Sequence, residues 1–432
     1  MSASDWIGAL PTTWKLSTIG RLASLRAGGT PASTDEDYWH ASAGTRWLSI
    51  ADMADVEAGA DHGGRFLTSE GLSASRLKPN QRETVLFAMY ASVGAVAFLR
   101  DSAVWNQAIV GLEAREHQAD TRYLYWVVTA LKPTLPFHFR SNTQDNLNAE
   151  QVRSFVVPQP PLAAQRAIAD YLDRETSQID VFIAKNEELI TLLTERRGAV
   201  IARAVLRGLD ASAELRDSGV TWLGDVPSHW RVSRLSRWFE VTLGKMLDEA
   251  KFAGTVGDVL PYVRASNIKA ERLDLSDVNS MPFTPSEKAK FSLRKGDLVV
   301  VEGGSIGVNA PVEEDMHGWG FQKTVNRVRA IRGDLTRFLG YQIDVIREAG
   351  VLNMITNVST IQHLTAEKLE RIVVAMPPIE EQEAIVSHIR RATSAIDRAV
   401  GTAEEGVRLA RERRAALISA AVTGKIDLGV PA

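Results

Sequence analysis

The sequence predicts an α+β chain of two pseudo-symmetric halves. Each half is a β-rich domain followed by a long helix, and the two helices pair as an antiparallel coiled coil. Three observations predict this. First, "PPLAAQRAIADYLDRETSQID" (Pro160 to Asp180) returns as "PPIEEQEAIVSHIRRATSAID" (Pro377 to Asp397), 217 residues later. Second, the regions before each double proline carry short apolar runs bounded by Gly, Pro or Asn, the pattern of strands and turns. Third, the regions after it carry apolar residues repeating about every 3.5 positions, the seam of a coiled coil.

The repeat extends in both directions. "TQDNLNAEQVRSFVVPQPP" (Thr143 to Pro161) matches "TIQHLTAEKLERIVVAMPP" (Thr360 to Pro378), and "ERRGAVIARAV" (Glu195 to Val205) matches "ERRAALISAAV" (Glu412 to Val422). The halves also begin alike, with "WIGALPTTWKLSTIGRL" (Trp6 to Leu22) and "WLGDVPSHWRVSRLSRW" (Trp222 to Trp238). The middles match only faintly, pairing Gln107 with Gln322 and "ASVG" (Ala91 to Gly94) with "GSIG" (Gly304 to Gly307). Fixed ends and divergent middles fit two modules that read different targets.

Each element follows from its residues. The W-x-G-x-x-P-x-x-W openings, with Pro and Trp, predict a packed extended clasp. "TVLFAMY" and "DLVVVEGG" predict strands. "RYLYWVVTAL" and "RFLGYQIDVIREAG" predict amphipathic helices. "NAEQV" and "TAEKL" predict helical turns capped by Asn148 and Thr365, and "SFVVPQPP" and "RIVVAMPP" predict strands stopped by proline.

From Ile179 the first seam runs through Phe182, Leu189, Leu193 and Ile201 to Val205. The second runs from Ile396 through Val407, Ala410 and Ile418 to Ala421 and is richer in small residues, so a bulky stripe faces a small one. About 28 residues of helix would be about 42 Å long. The expected organisation is a first β-rich domain with its clasp (1–160), a first helical region (161–208), a polar linker (209–220), a second β-rich domain (221–377) and a second helical region (378–428).

Composition narrows the function classes. With 45% hydrophobic and 24% charged residues the chain reads as an ordinary soluble protein, long enough for several cores. It has no cysteine, which excludes disulfides, thiolate metal sites and a cysteine nucleophile and fits a reducing cytoplasm. No signal peptide or membrane-length apolar run is found. The eight histidines form no H-E-x-x-H or other metal spacing. "EGGSIG" (Glu302 to Gly307) is neither G-x-G-x-x-G nor a P-loop and reads as a strand-end turn. No serine lies in a G-x-S-x-G elbow. Asp297 and Glu302 flank a strand, but the first half lacks that pair, so they read as structural. Nothing points to catalysis, a metal or a cofactor loop.

The paired "PP[LI]xxQxAI" stretches, the tracts Ser177/Ile179/Asp180 and Thr393/Ile396/Asp397, the "ERR" seams and the W-x-G-x-x-P-x-x-W openings resemble the specificity subunit of a type I restriction-modification system. The resemblance spans Trp6 to about Leu428. It implies that each β-rich middle is a target-recognition domain reading one half of a split, asymmetric site on double-stranded DNA. It implies that the coiled coil sets the spacer and docks two methyltransferase subunits, and that restriction/translocase subunits join the assembly. The subunit itself would be non-catalytic and cofactor-free, with S-adenosylmethionine and ATP/Mg belonging to its partners. It would be cytoplasmic, with no membrane partner.

Base edges are read by side chains that donate and accept. The first-half candidates are Arg26, Thr30, Arg46, Tyr90, Ser92, Asn106, Gln107, Arg140, Ser141, Asn142 and Gln144. Those of the second half are Lys245, Arg264, Asn267, Lys269, Ser305, Gln322, Lys323, Asn357, Ser359, Thr360 and Gln362. The bland alternative is that the Asn, Ser and Thr residues cap turns. Gln165 and Gln382, at the helix entries, read as structural or subunit-docking positions; Arg196, Arg197, Arg413 and Arg414 are docking candidates whose bland reading is a solvated coiled-coil flank. The net charge of −3 runs against a lone DNA binder, since phosphate neutralisation by Lys and Arg drives affinity. It favours a second reading, a protein-binding scaffold of two β-rich modules on a coiled coil, unless partner subunits supply the positive charge.

Overall fold

The computed structural model describes residues 6–57, 65–139, 146–246, 257–356 and 363–429. The chain forms two compact units. The first contains residues 1–187 and 404–432, the second residues 188–403. The units are therefore not the two halves of the sequence. Each combines one β-rich region with the start of its own long helix and the end of the other half's helix.

The first unit is built on a four-stranded antiparallel sheet in the order 23–27, 109–114, 84–88, 96–99. A second sheet pairs strands 45–48 and 103–105 in parallel, an arrangement that requires a crossover. The helix Thr121–Ala130 covers the first sheet. Asp120 caps it, accepting from the backbone N–H groups of Arg122 and Tyr123. Its apolar face (Tyr123, Leu124, Val127) meets Val85, Phe87 and Leu112 in the main core. Ile168 and Leu172 of the first long helix enter that core, as do Ile418 and Val422 of the second.

The second unit repeats this plan. Its four-stranded sheet has the order 239–243, 325–330, 298–301, 309–311, and its parallel pair joins strands 258–263 and 320–321. The pairings Ala23 with Ala114 and Phe239 with Ala330 occupy the same register 216 residues apart. The helix Thr336–Glu348 takes the covering place, and Ile201, Val205, Ile385 and Ile389 bring both long helices into the core. The expected caps form: Asn148 accepts from the backbone of Gln151, and Thr365 from that of Lys368.

Three expectations are corrected. The long helices span Leu162–Arg207 (46 residues) and Ile379–Val422 (44 residues), or about 69 and 66 Å, not 28 residues each. They begin directly after the double proline, because a proline costs nothing where an N–H has no intrahelical partner. The backbone N–H of Gln165 already donates to the carbonyl of Pro161. Their first turns serve the head cores and carry no heptad seam. Second, the region read as a plain linker contains a strand, Leu215–Asp217, paired with Asp225–Pro227. Third, the seam is only partly covered. Ile179, Ile201, Val205, Ile396 and Ile418 are buried, whereas Phe182 is 48% and Leu189 44% exposed, since one partner helix covers only a narrow stripe.

The helices run antiparallel within each unit. In the first, Arg414 pairs with Asp180 (2.8 Å), Arg411 pairs with Glu187 (2.5 Å), and Phe182 lies over Gly406. In the second, Arg197 pairs with Asp397 (2.7 Å). The repeated motifs thus meet reciprocally: the aspartate of each I-D tract holds the second arginine of the other half's E-R-R tract.

Candidate nucleic-acid interface

One end of the main sheet gathers the polar candidates in each unit. In the first, the strand 23–27 runs into Gly28, where an added Cβ would lie 2.0 Å from the Asn106 carbonyl oxygen. Only glycine permits that approach. It brings Thr30 to Gln107, and the two side chains hydrogen-bond. The turn after strand 84–88 lies alongside, because Met89 donates its backbone N–H to the Ala108 carbonyl and accepts from Leu147. Tyr90 and Ser92 are exposed on this turn.

The second unit builds the same edge. An added Cβ at Gly244 would lie 2.2 Å from the Gln322 carbonyl oxygen. The backbones of Lys245 and Lys323 are hydrogen-bonded (2.9 Å), and Ser305 sits on the turn after strand 298–301. Gly94 and Gly307 occupy matching left-handed positions, with φ of +82° and +78°, which supports the pairing of "ASVG" with "GSIG". Gln107 is offset by one: Asn106 holds the place of Gln322, and Gln107 that of Lys323.

The structure separates the candidates. Thr30, Tyr90, Ser92, Asn106 and Gln107 meet at the first edge, and Ser305, Gln322 and Lys323 at the second. Lys269 is exposed on the short strand Ile268–Lys269, and Arg46 is half-buried on strand 45–48. Four others are committed to holding the fold. Arg26 pairs with Glu113 (2.5 Å), donates to the carbonyl of Pro79 and stacks on Trp105. Lys245 donates to Glu287 (2.5 Å) and to the Pro282 carbonyl (2.8 Å). Arg264 pairs with Asp277, and Asn267, 3% exposed, donates to the carbonyls of Asp274 and Asp277. Arg140, Ser141, Asn142, Gln144, Asn357, Ser359, Thr360 and Gln362 lie outside the described residues.

Among the docking candidates, Gln165 and Gln382 are occupied internally. Gln165 is 1% exposed; its Nε2 donates to the carbonyls of Pro160 (2.9 Å) and Gln118 (3.1 Å), and its Oε1 accepts from the backbone N–H of Asp120 (2.8 Å). Gln382 is fully buried and makes the matching contacts to Pro377, Asp334 and Leu335. Both N–H groups of each amide are used, so neither is available to another chain. Arg197 and Arg414 are engaged with Asp397 and Asp180, and Arg414 also lies over the Trp126 ring. Arg196 and Arg413 are exposed at repeat-equivalent places.

Sequence reasoning gave Glu302 only a structural role and did not single out His363; the two face each other at the second edge, with His363 Nδ1 3.0 Å from Glu302 Oε2. Asp297, by contrast, is buried in a two-bond pair with Arg329 (both 2.7 Å), a structural role. Among the described residues, no group of three or more His, Asp or Glu could hold a metal ion, and no helix is long and apolar enough to cross a membrane.

Two repeated sheet-and-helix units with paired long helices define a class. The profile of the family "Type I restriction modification DNA specificity domain" matches twice, over residues 11–191 and 227–399, and the chain belongs to that family. It is similar to the EcoBI type I restriction enzyme specificity subunit of Escherichia coli, 23% identical over 326 residues, covering 72% of this chain and 66% of the relative. It is also similar to the EcoKI specificity subunit of Escherichia coli K12, 26% identical over 248 residues, covering 54% and 50%. The matches thus span half to about two thirds of these relatives' length. In fold it resembles a solved chain from work on complex assembly and conformational transition of the type I R-M system, with a TM-score of 0.70, 14% identity, and coverage of 97% of this chain and all of the other.

Proposed function

We propose that the chain is the DNA sequence-recognition subunit of a type I restriction-modification complex, each unit reading one half of a bipartite site. The observation that carries this reading is one strand-end edge built twice with different side chains. The backbone plan is kept, from Gly28 and Gly244 to the turns at Gly94 and Gly307. The exposed chemistry changes: Asn106 and Gln107 stand where the second unit has Gln322 and Lys323. Constant scaffolds with divergent donor and acceptor sets are what two separate base sequences require.

In this reading Thr30, Tyr90, Ser92, Asn106 and Gln107 read one half-site, and Lys269, Ser305, Gln322 and Lys323 the other, with Arg46 beside the first. Arg26, Lys245, Arg264 and Asn267 hold the edges in shape. The paired long helices set the spacer, and their exposed faces, with Arg196 and Arg413, dock two methyltransferase subunits. Restriction/translocase subunits complete the assembly in the cytoplasm. The chain itself is non-catalytic; S-adenosylmethionine and ATP/Mg belong to the partners. With net charge −3, those partners supply much of the positive charge around the duplex.

The test exchanges residues 20–155 with the corresponding segment of a homologue of different specificity and maps the sites methylated by the assembled complex. One half-site changes and the other stays. Movement of both half-sites together, or of neither, overturns modular reading.

A further inference from the structure

The geometry points to Glu302 and His363 as a specificity-determining pair of the second edge, the Glu302 carboxylate accepting the exocyclic amino group of a base, cytosine N4 or adenine N6, in the major groove. This rests on the reading of that edge as DNA-facing.

Glu302 is held rigidly. Its backbone N–H donates to the Thr324 carbonyl (2.9 Å), and its carbonyl accepts from Leu364 (2.7 Å). In the first unit Met89 makes the same two backbone bonds, to Ala108 and Leu147, and is 5% exposed. One backbone place therefore carries a buried thioether in one unit and a carboxylate in the other.

The carboxylate is poorly supplied where it stands. Its side chain is only 13% exposed, yet it lies within ion-pair distance of no Lys or Arg among the described residues. Oε2 meets His363 Nδ1, and Oε1 has no hydrogen-bond partner among those residues. Oε1 keeps contact with solvent and stands open to a donor that approaches from outside. His363 fixes its direction: Gly303 bridges to His363, and the ring lies 3.0 Å from where a Cβ on Gly303 would stand. Beyond it, a Cβ on Gly304 would meet nothing within 4 Å, so the turn leaves room for close approach. Gln322 and Thr324 stand beside the pair, hydrogen-bonded to each other at 3.2 Å.

Electrostatics selects the ligand. A carboxylate repels phosphate, so on a DNA-facing edge its favourable partner is a base amino group, which cytosine and adenine alone present in the major groove. The charge also rejects guanine and thymine, whose major-groove edges at that depth are acceptors.

The experiment enriches sites from a pool of randomised duplexes with the full-length chain and any methyltransferase subunit that co-purifies, comparing wild type, E302Q and H363A. Wild type yields a split site with cytosine or adenine at one second-half position. E302Q, whose amide both donates and accepts, relaxes that position about tenfold and leaves the first half-site unchanged. H363A, altering a ring 45% exposed, relaxes the same position, and it decides alone if E302Q is not recovered folded. Both variants retaining wild-type preference, or H363A doing so when E302Q is not recovered, overturns the pair's role while the DNA-reading function stands. A wild-type chain that enriches no split site removes the function itself.

Discussion

Gln165 and Gln382 carry more of the fold than their chemistry advertises. Each amide joins the entry of a long helix to the turn before the covering helix, through three hydrogen bonds with almost no exposure. Truncation leaves backbone groups unpaired in a buried place. Q165A and Q382A are each expected to lose about 2–4 kcal/mol, measured by urea denaturation, with local opening confined to the unit that carries the change. A second residue ties stability to pH. Burial pushes the Asp344 carboxyl up to about 7, against the pull of Arg347, while Asn309 donates to its Oδ1 (3.0 Å). An unfolded aspartate titrates near 4, so between pH 4 and pH 7 the native state binds the extra proton and its stability falls as pH rises. D344N keeps the acceptor and removes the charge. It should flatten this slope and exceed wild type at pH 8 by on the order of 2 kcal/mol. Melts at pH 5 and pH 8 check this; equal gains at both would refute the linkage.

At the scale of elements, turns and helix pairs do different work. The turn holding Ser305 depends on Gly307, where φ is +78° and a Cβ would stand 2.3 Å from Leu352 Cδ1; Gly94 stands in the same relation to Leu135. G307A is expected to cost about 1–3 kcal/mol from left-handed strain and displaced packing, and G94A a similar amount in the first unit. Each should weaken recognition of one half-site only, seen by comparing binding to DNA altered in either half. The ion pairs between the long helices are largely exposed and contribute less than about 1 kcal/mol each. Their value is register. Asp180 with Arg414 and Asp397 with Arg197 align equivalent motifs in opposite directions, and the buried Ile, Val and Ala positions supply the stability.

For the whole molecule, the composition of the units matters most. Residues 404–429 fold into the first unit, where Ile418, Ala421 and Val422 are almost fully buried. Gly424 turns at φ +72° against Pro11 and Trp14 of the opening clasp, as Gly208 does near Trp230 and Pro227 in the second unit. Ending the chain at residue 403 should therefore destabilise residues 6–187, far away in sequence, and leave the second unit's core intact. Limited proteolysis reads this directly: the N-terminal region becomes sensitive while fragments covering residues 188–403 persist. Even protection of both would contradict the division into units.

The duplication, the α+β class, the capped turns at Asn148 and Thr365, and an antiparallel helix pair were legible in the amino-acid sequence. These rest on local spacing and on a repeat that compares the chain with itself. The sequence understated the helices, because their first turns pack on head cores and show no heptad. It ranked Arg26, Lys245 and Asn267 with the readers and left Gln165 between a structural and a docking role, because the deciding partners of Arg26, Lys245 and Gln165 lie 37 to 87 positions away and those of Asn267 lie 7 and 10 positions on, across a turn. Which donors are already satisfied and which face outward is settled by the packed fold alone. The reason is that hydrogen-bond satisfaction and burial are set by contacts distant in sequence, whereas periodicity and capping are set by neighbours.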